Sequence, residues 1–360
     1  MIFNCGKNIK KTTFGEIFQY MSQKKRHFTK YLIISAAFVL FAVMDILLGS
    51  VLIPFKDVFG AISGSDVPDF VNNIVWNFRI PKALTAMLAG VALSVSGLQM
   101  QTLFRNPLAE PYILGISAGA GFGVALFVMG FSAAGIDISG TVLSKFGIAG
   151  AGWLGALGVT MLIMLVSERL RDNLSILIFG IMLGSVLSAL ISLLQYLSDS
   201  SALKVFVLWT LGSFSGIESG ELWILFALVM AGFAISIYNI KDLNTLLTGE
   251  TYARSLGVNL KHTRMRILAA TTLLAGSVTA FCGPIGFIGI AVPHISRMIF
   301  RNANHKILIP ASAILGAAIM LFTDTLAQLP GQSAVVPINT VSAIIGVPVI
   351  IVIILKSRIS

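Results

Sequence analysis

Apolar runs of about 20 residues recur along the whole of this 360-residue chain, and they limit its fold more than any other feature. A helix of that length rises about 30 Å, which is the thickness of the hydrocarbon core of a bilayer. Only 11% of the residues are charged, whereas soluble domains carry about 25%. So few charges cannot cover a water-facing surface, and we predict an all-α polytopic membrane protein.

Hydropathy predicts ten transmembrane helices. Their predicted ranges are 31–54, 83–104, 111–130, 146–166, 174–197, 222–240, 267–283, 284–300, 307–327 and 338–355. The apolar stretch 205–214 is too short to cross a bilayer, so we predict a short helix that lies at the surface or dips into the membrane. Residues 31–360 would form one transmembrane domain, preceded by a basic cytoplasmic arm over residues 1–30.

The distribution of cations supports this topology. With the N-terminus inside, 20 of the 25 Lys and Arg residues fall on the cytoplasmic side and five on the outside. Such a bias is what the positive-inside rule predicts, and it places both termini in the cytoplasm. The net charge of +10 is then explained by topology and by contact with anionic lipid. Aromatic residues do not alternate with the basic ones, so nucleic acid is not an expected partner.

Two similar segments suggest an internal repeat. "LAGVALSVSG" (88–97) and "LAGSVTAFCG" (274–283) share their first three residues and their last glycine. The predicted topology runs the first segment inward and the second outward. Inverted repeats of this kind build transporters whose pathway lies between the repeats.

Motifs for enzymatic chemistry are scarce in this chain. No G-x-x-x-x-G-K-[ST] stretch is present, so ATP binding through a P-loop is not expected, and no H-E-x-x-H stretch is present. We predict a protein that is not an enzyme and binds no metal or cofactor directly. Two acids, Asp45 and Asp324, fall within predicted spans, where acids are functional candidates. Either could carry protons, or it could hydrogen-bond a neighbouring helix.

The stretch 78–121 combines charge, small residues and chain breaks. Arg79 and Lys82 lie at the predicted outer entry of the second span, and small residues that allow close helix contact follow them. Asn106-Pro107 and Pro111 then interrupt the helix, because proline lacks an N–H and disfavours helix in the preceding residue.

These segments resemble the FecCD/vitamin-B12-type permease family. The resemblance is carried by "RIPK" (79–82), "GLQMQTLFRNPLAEPYILGISAGA" (97–120), "GPIGFIGIAVPHISR" (283–297), "DTLAQ" (324–328) and "VVPINTVSAIIGVP" (335–348). It implies the type II ABC importer permease fold, with ten helices, in a bacterial or archaeal cytoplasmic (inner) membrane. It also implies transport of a ferric siderophore, haem or cobalamin, with ATP hydrolysed by a separate subunit.

The resemblance implies several partners. They are two copies of an ATP-binding cassette subunit, a second permease subunit that most simply makes a homodimer, and an extracytoplasmic substrate-binding protein. The loop at about 241–266 matches the family's coupling loop, which contacts the ATPase. Its candidate coupling residues are Leu246, Leu247, Gly249, Glu250, Ala253, Arg254, Leu256 and Gly257. The sequence favours this role, because four of them (Leu246, Leu247, Ala253 and Leu256) could form one apolar face and the glycines allow sharp turns.

Two further sites are implied by the family. Arg79 and Lys82 match basic positions exposed on the outer surface that pair with acids of the binding protein, although headgroup anchoring is an alternative. A third basic position of the family falls on Gln328, and the family's Glu-Leu-Pro-Val-Gly is Val335–Asn339 here. Arg171, Asp172 and Asn173 match the cytoplasmic gate, where short polar side chains could also cap a helix.

The alternative function is a secondary transporter driven by an ion gradient through Asp45 or Asp324. Uptake that survives vanadate but is abolished by an uncoupler would favour this alternative.

Overall fold

The structure is a computed structural model that describes residues 5–49, 51–136, 142–170, 172–328 and 335–357. Within these ranges, side chains are not described for residues 5–25, 142–145, 353, 354, 356 and 357. Every regular element in the described ranges is a helix. The predicted all-α fold is therefore confirmed.

Sixteen α-helices and two π-helical turns follow one another in the described part of the chain. The helices are α1 (Cys5–Leu47), α2 (Phe55–Ser63), α3 (Asp69–Ile74), α4 (Ile80–Leu103), α5 (Ile116–Ala133), α6 (Val142–Ser167), α7 (Asn173–Leu197), α8 (Ser200–Leu211), α9 (Ser219–Tyr238), α10 (Ile240–Leu246), α11 (Glu250–Ser255), α12 (Leu260–Thr271), α13 (Ser277–Cys282), α14 (Ile288–Phe300), α15 (His305–Ala327) and α16 (Ile338–Ser357). The π-helical turns Val75–Arg79 and Thr272–Gly276 join α3 to α4 and α12 to α13 without a break.

Eight helices in the described ranges are long and apolar enough to cross a membrane, whereas ten were predicted. The predicted span 284–300 is shorter than expected, because Gly283 and Phe287 have positive φ and α14 begins only at Ile288. Its 13 residues rise about 20 Å. The predicted span 338–355 corresponds to α16, whose described apolar part is Ile338–Val352. The ten-span count is thus supported for eight helices and is not established for these two.

The predicted short helix at 205–214 is confirmed as α8, which has 12 residues. The predicted first span, 31–54, is shifted. Its helix extends through the predicted boundary at residue 30 and ends at Leu47, and its apolar part is Arg26–Leu47.

Helix α4 is the centre of the bundle. Nearly all of its side chains from Ala83 to Leu103 are buried, and it packs against α9, α14 and α15. The close packing depends on glycine: a Cβ on Gly90 would lie 2.2 Å from the carbonyl oxygen of Gly316, and one on Gly97 would lie 2.0 Å from that of Gly289. Gly90 and Gly97 therefore mark the points at which α15 and α14 come closest to α4.

The two similar segments differ in their local structure. Gly97 lies inside α4, whereas Gly283, its counterpart, ends α13 with φ of 78°. The two glycines are therefore equivalent in the sequence alignment but not in their backbone conformation.

Candidate functional site

The predicted coupling loop lies at one end of the bundle, which we call the Glu250 end. It folds into α10 and α11 and continues into α12. Gly249, with φ of 106°, precedes α11, and Gly257, with φ of 86°, follows it. L residues rarely adopt such angles, so these two glycines fix the direction of α11. The predicted glycine turns are confirmed.

The prediction that four residues of the loop form one apolar face is wrong, because two of them are exposed and two are buried. Leu247 and Leu256 are 42% and 58% exposed, but Leu246 and Ala253 are buried in the main core. Leu246 lies three residues after the buried Leu243, so both occupy the inner face of α10.

The exposed surface of the loop includes a residue that the sequence did not single out. Tyr252 is 57% exposed, and Arg254 is also exposed on α11. Together with Leu247 and Leu256 they form an exposed surface of apolar and cationic side chains. We call these four residues the coupling surface.

The predicted gate residues lie at the start of α7, beside α11. Arg171 lies outside the described residues. Asp172 is the N-cap of α7: its Oδ2 accepts a hydrogen bond of 3.1 Å from the backbone N–H of Ser175, and this bond lowers the pKa of the Asp172 carboxyl. The predicted capping is confirmed for Asp172.

The Asn173 side chain joins three parts of the molecule. Its Nδ2 donates to the Leu103 carbonyl at the end of α4, at 2.6 Å, and also to Glu250 Oε1 on α11. Its Oδ1 accepts from Arg264 Nη2 on α12, at 2.6 Å. Arg264 Nη2 also lies 3.9 Å from Glu250 Oε1. We call Asn173, Glu250 and Arg264 the gate triad; it brings a predicted gate residue and a predicted coupling residue into direct contact.

A second set of polar contacts holds α10 in place at the Glu250 end. Asn244 Oδ1 accepts from the backbone N–H of His305 at 2.8 Å and lies 2.9 Å from its Nδ1. The His305 Nε2 lies 2.8 Å from Thr102 Oγ1, next to Leu103 in α4. Both coupling helices are thus tied to the same end of α4.

Arg79 lies at the opposite end of α4, which we call the Arg79 end. It is only 8% exposed. Its guanidinium donates to the carbonyls of Ile46 and Leu47, both at 2.8 Å, and to that of Val51 at 2.6 Å. The expectation of an exposed surface cation is therefore wrong, because Arg79 satisfies the free carbonyls where α1 ends.

Lys82 is also engaged inside the molecule. Its Nζ lies 3.1 Å from Asp324 Oδ1, and the Asp324 side chain is fully buried. The expected link from Asp324 to a neighbouring helix is therefore confirmed. Gln328 Nε2 donates to Asp324 Oδ2 at 3.1 Å and to Asp45 Oδ1 at 3.2 Å. The two intramembrane acids thus belong to one cluster that joins α1, α4 and α15.

A cavity of about 860 Å³ opens beside this cluster. Its lining includes Asp45, Arg79, Lys82 and Gln328, together with residues 214–220. The structure therefore gathers both predicted docking cations and the Gln328 position around a single cavity.

Residues 115–119 have the letters G-x-S-x-G of a hydrolase nucleophile elbow, which requires a strand before the serine. Here a turn precedes Gly115 and α5 begins at Ile116. The local structure is therefore not that of an elbow. The described residues also contain no group of three or more His, Cys, Asp or Glu side chains placed to hold a metal ion.

Comparison with known proteins identifies the family. The family model of the FecCD transport family matches residues 37–356. The chain belongs to the FecCD transport family. It is 37% identical over 285 residues to the vitamin B12 import system permease protein BtuC of Citrobacter koseri, covering 79% of this chain and 83% of that protein. It is 38% identical to BtuC of Salmonella typhimurium over 284 residues, covering 79% and 84% of the two chains.

Two solved structures have a fold similar to that of this chain. A structure described as an inward-facing conformation of a metal-chelate type ABC transporter has a TM-score of 0.79 and 29% identity, covering 92% of this chain and 99% of that one. PsaBC from Streptococcus pneumoniae, in complex with Fab, has a TM-score of 0.53 and 15% identity, covering 79% and 94%, and it shares the fold alone. The type II ABC importer permease fold is confirmed for this FecCD chain.

Proposed function

We propose that this FecCD chain is the membrane permease subunit of an ATP-driven importer that carries a cobalamin-type metal chelate inward. The observation that carries the proposal is the coupling surface at the Glu250 end. It is exposed, partly apolar and cationic, and it belongs to a chain without a P-loop. Such a subunit needs a partner that hydrolyses ATP, and this surface is suited to bind it.

The sides of the membrane follow from charge. The predicted topology assigns 20 of the 25 cations to the cytoplasmic side, and it assigns the coupling residues 246–257 to that side as well. We therefore assign the Glu250 end and both termini to the cytoplasm of a bacterial or archaeal cell, and the Arg79 end to the outside.

The proposed assembly has two copies of this chain, two ATP-binding subunits and one binding protein. The cavity at the Arg79 end is the proposed docking site, since Arg79 and Lys82 both line it. An acidic side chain of the binding protein would enter a cavity where Lys82 is already paired with Asp324 and Arg79 already donates to three backbone carbonyls. Docking is therefore expected to be weaker than at a site with free cations.

The substrate class rests on the relatives. Two relatives at 37% and 38% identity are vitamin B12 import permeases, and the structural neighbour at 29% identity is described as a metal-chelate type transporter. Cobalamin is thus the first candidate, and ferric siderophores and haem are the other chelates to test.

The experiment is uptake into proteoliposomes that contain this chain with its ATP-binding subunit and binding protein. Labelled cyanocobalamin, ferrichrome and haem are offered separately, with ATP enclosed on the cytoplasmic side. We expect uptake of cyanocobalamin that needs ATP and stops with vanadate. Uptake of ferrichrome or haem instead would change the substrate but retain the transport mechanism.

The alternative, a gradient-driven carrier, is favoured by one observation: Asp45 and Asp324 share a buried cluster with Lys82. In the same vesicles, uptake that persists with vanadate and disappears with an uncoupler would replace the ATP-driven function by this one.

A further inference from the structure

Asn173 is the polar link between α11 and α7. The main helix neighbours of α11 are α10 and α12, which adjoin it in sequence. Asn173 is separated from Glu250 by 77 residues, yet the two side chains hydrogen-bond directly. The Asn173 residue is 8% exposed, and the Glu250 side chain is 30% exposed. The contact is therefore largely sheltered from water, where a hydrogen bond to a charged group is stronger.

Only an amide satisfies the three partners of Asn173. The Leu103 carbonyl and the Glu250 carboxylate can only accept hydrogen bonds, and the Arg264 guanidinium can only donate. The amide offers two N–H donors to the first two and an oxygen to the third. A carboxylate would keep the bond to Arg264 but would present an acceptor to both other groups.

We propose that Asn173 is a positioning residue that makes the coupling helix α11 and the first turn of α7 move together. The inference rests on the proposed function, since it assumes that a partner displaces α11. A displacement of Glu250 then moves Asn173 and the N-terminus of α7. The Leu103 carbonyl, at the end of the central helix α4, is the third point of attachment.

The primary variant is Asn173→Asp, which keeps size and shape. It is expected to uncouple the transporter: ATP hydrolysis continues, while uptake per ATP hydrolysed falls about tenfold, the effect of losing one charged hydrogen bond. A purely structural role of Asn173 would lower both activities together. Melting in detergent reports whether the variant is folded.

The exchanged pair Asn173→Asp with Glu250→Gln is the rescue variant. It restores an amide facing a carboxylate and keeps a carboxylate beside Arg264, but it does not restore the hydrogen bond to the Leu103 carbonyl. We expect part of the coupling ratio to return, because residues in direct contact show non-additive effects in a double-mutant cycle.

The matched control is Glu168→Gln. Glu168 pairs with Lys261 at 2.8 Å at the same end of the molecule, but the side chains are 47% and 57% exposed and do not belong to the gate triad. Exposed pairs contribute little, so this variant is expected to keep the wild-type coupling ratio.

The movement of α7 can also be measured directly, in an experiment that needs no transported substrate. Leu174, in the first turn of α7, is 61% exposed. We expect that a thiol at this position, in Leu174→Cys with Cys5→Ser, reacts with an impermeant maleimide at a rate that ATP with vanadate changes severalfold relative to ADP. Asn173→Asp should abolish that change, and the exchanged pair should restore part of it.

The outcomes separate the two proposals. If the wild-type complex hydrolyses no ATP, the proposed function fails. If it hydrolyses ATP but the reactivity at position 174 does not respond, or Asn173→Asp responds as the wild type does, the proposed role of Asn173 is overturned. Loss of response in Asn173→Asp, with recovery in the exchanged pair and a normal Glu168→Gln control, supports it.

Discussion

At the scale of single residues, close helix contact depends on the absence of a Cβ. Gly97 faces the carbonyl of Gly289, and Gly90 faces that of Gly316, both at distances that no side chain allows. Glycine on α6 differs: Gly158 has no atom within 4 Å of an added Cβ. The same residue type is therefore indispensable at one position and replaceable at another.

Gly97→Ala is expected to destabilise the protein by about 1–3 kcal/mol, because the new methyl group has to displace backbone at Gly289. Tryptophan fluorescence during thermal unfolding in detergent measures the change. Gly158→Ala is the control, and its melting temperature should be equal or slightly higher. Equal melting temperatures for both variants would contradict the close approach of α4 and α14.

The buried pair Lys82–Asp324 gives a second prediction at this scale. Removing one partner leaves an uncompensated buried charge, which costs about 3–5 kcal/mol. Asp324→Leu and Lys82→Met should each lower the melting temperature, whereas the double variant should lower it less than the sum of the two. Lys56→Met, an exposed lysine at the same end, serves as control. Additive losses in the double variant would show that the pair does not interact.

At the scale of elements, the coupling segment shows how a short helix is held without much buried surface. Helix α11 has six residues, too few to be stable alone. Gly249 fixes its start, buried Ala253 anchors its middle, and Glu250 binds Asn173. The exposed side of α11 is therefore held in a defined orientation.

Two substitutions in this segment test ATPase binding. Gly249→Pro requires φ near −65° where the chain has 106°, and it removes the bond from the Gly249 N–H to the Leu246 carbonyl. Arg254→Glu reverses an exposed charge on the coupling surface. Both variants should insert and fold but lose co-purification with the ATP-binding subunit, transport, or both.

The control for this pair is Lys306→Glu, an exposed charge reversal at the same end, on α15. It should co-purify with the ATP-binding subunit as the wild type does. Wild-type transport by both Gly249→Pro and Arg254→Glu would show that this surface does not contact the ATPase.

At the scale of the whole molecule, the bundle leaves apolar surface uncovered. Helix α7 alone exposes several large side chains beyond its first turn, namely Ile178, Met182, Val186 and Leu193. In a membrane protein such surface faces lipid or another copy of the chain. A single copy accordingly has the surface that a dimer within the membrane would require.

Native mass spectrometry of the purified complex is expected to give two copies of this chain with two ATP-binding subunits. Arg254→Glu should release the ATP-binding subunits and leave the pair of permease chains, since the coupling surface lies at the Glu250 end. A complex with one permease chain would contradict the proposed assembly.

The sequence by itself determined which segments form membrane helices and where the chain turns. Apolar runs with few charges specify membrane helices, and glycines at 249 and 257 specify turns, because both depend on neighbouring residues along the chain. The all-α class, the short helix at 205–214 and the cap at Asp172 were accessible for this reason. The family could also be predicted from the sequence, because its motifs are distributed over most of the chain.

Only the tertiary structure decided which polar groups are hydrogen-bonded to each other and which side chains are buried. Arg79 was predicted to be exposed, and it instead satisfies carbonyls 28 to 33 residues earlier. Leu246 and Leu247 are adjacent, and packing against the core buries one and exposes the other. The gate triad joins residues 77 and 91 positions apart. A buried polar group needs a hydrogen-bond partner. The identity of that partner depends on which helices pack together, and a local sequence pattern does not contain this information.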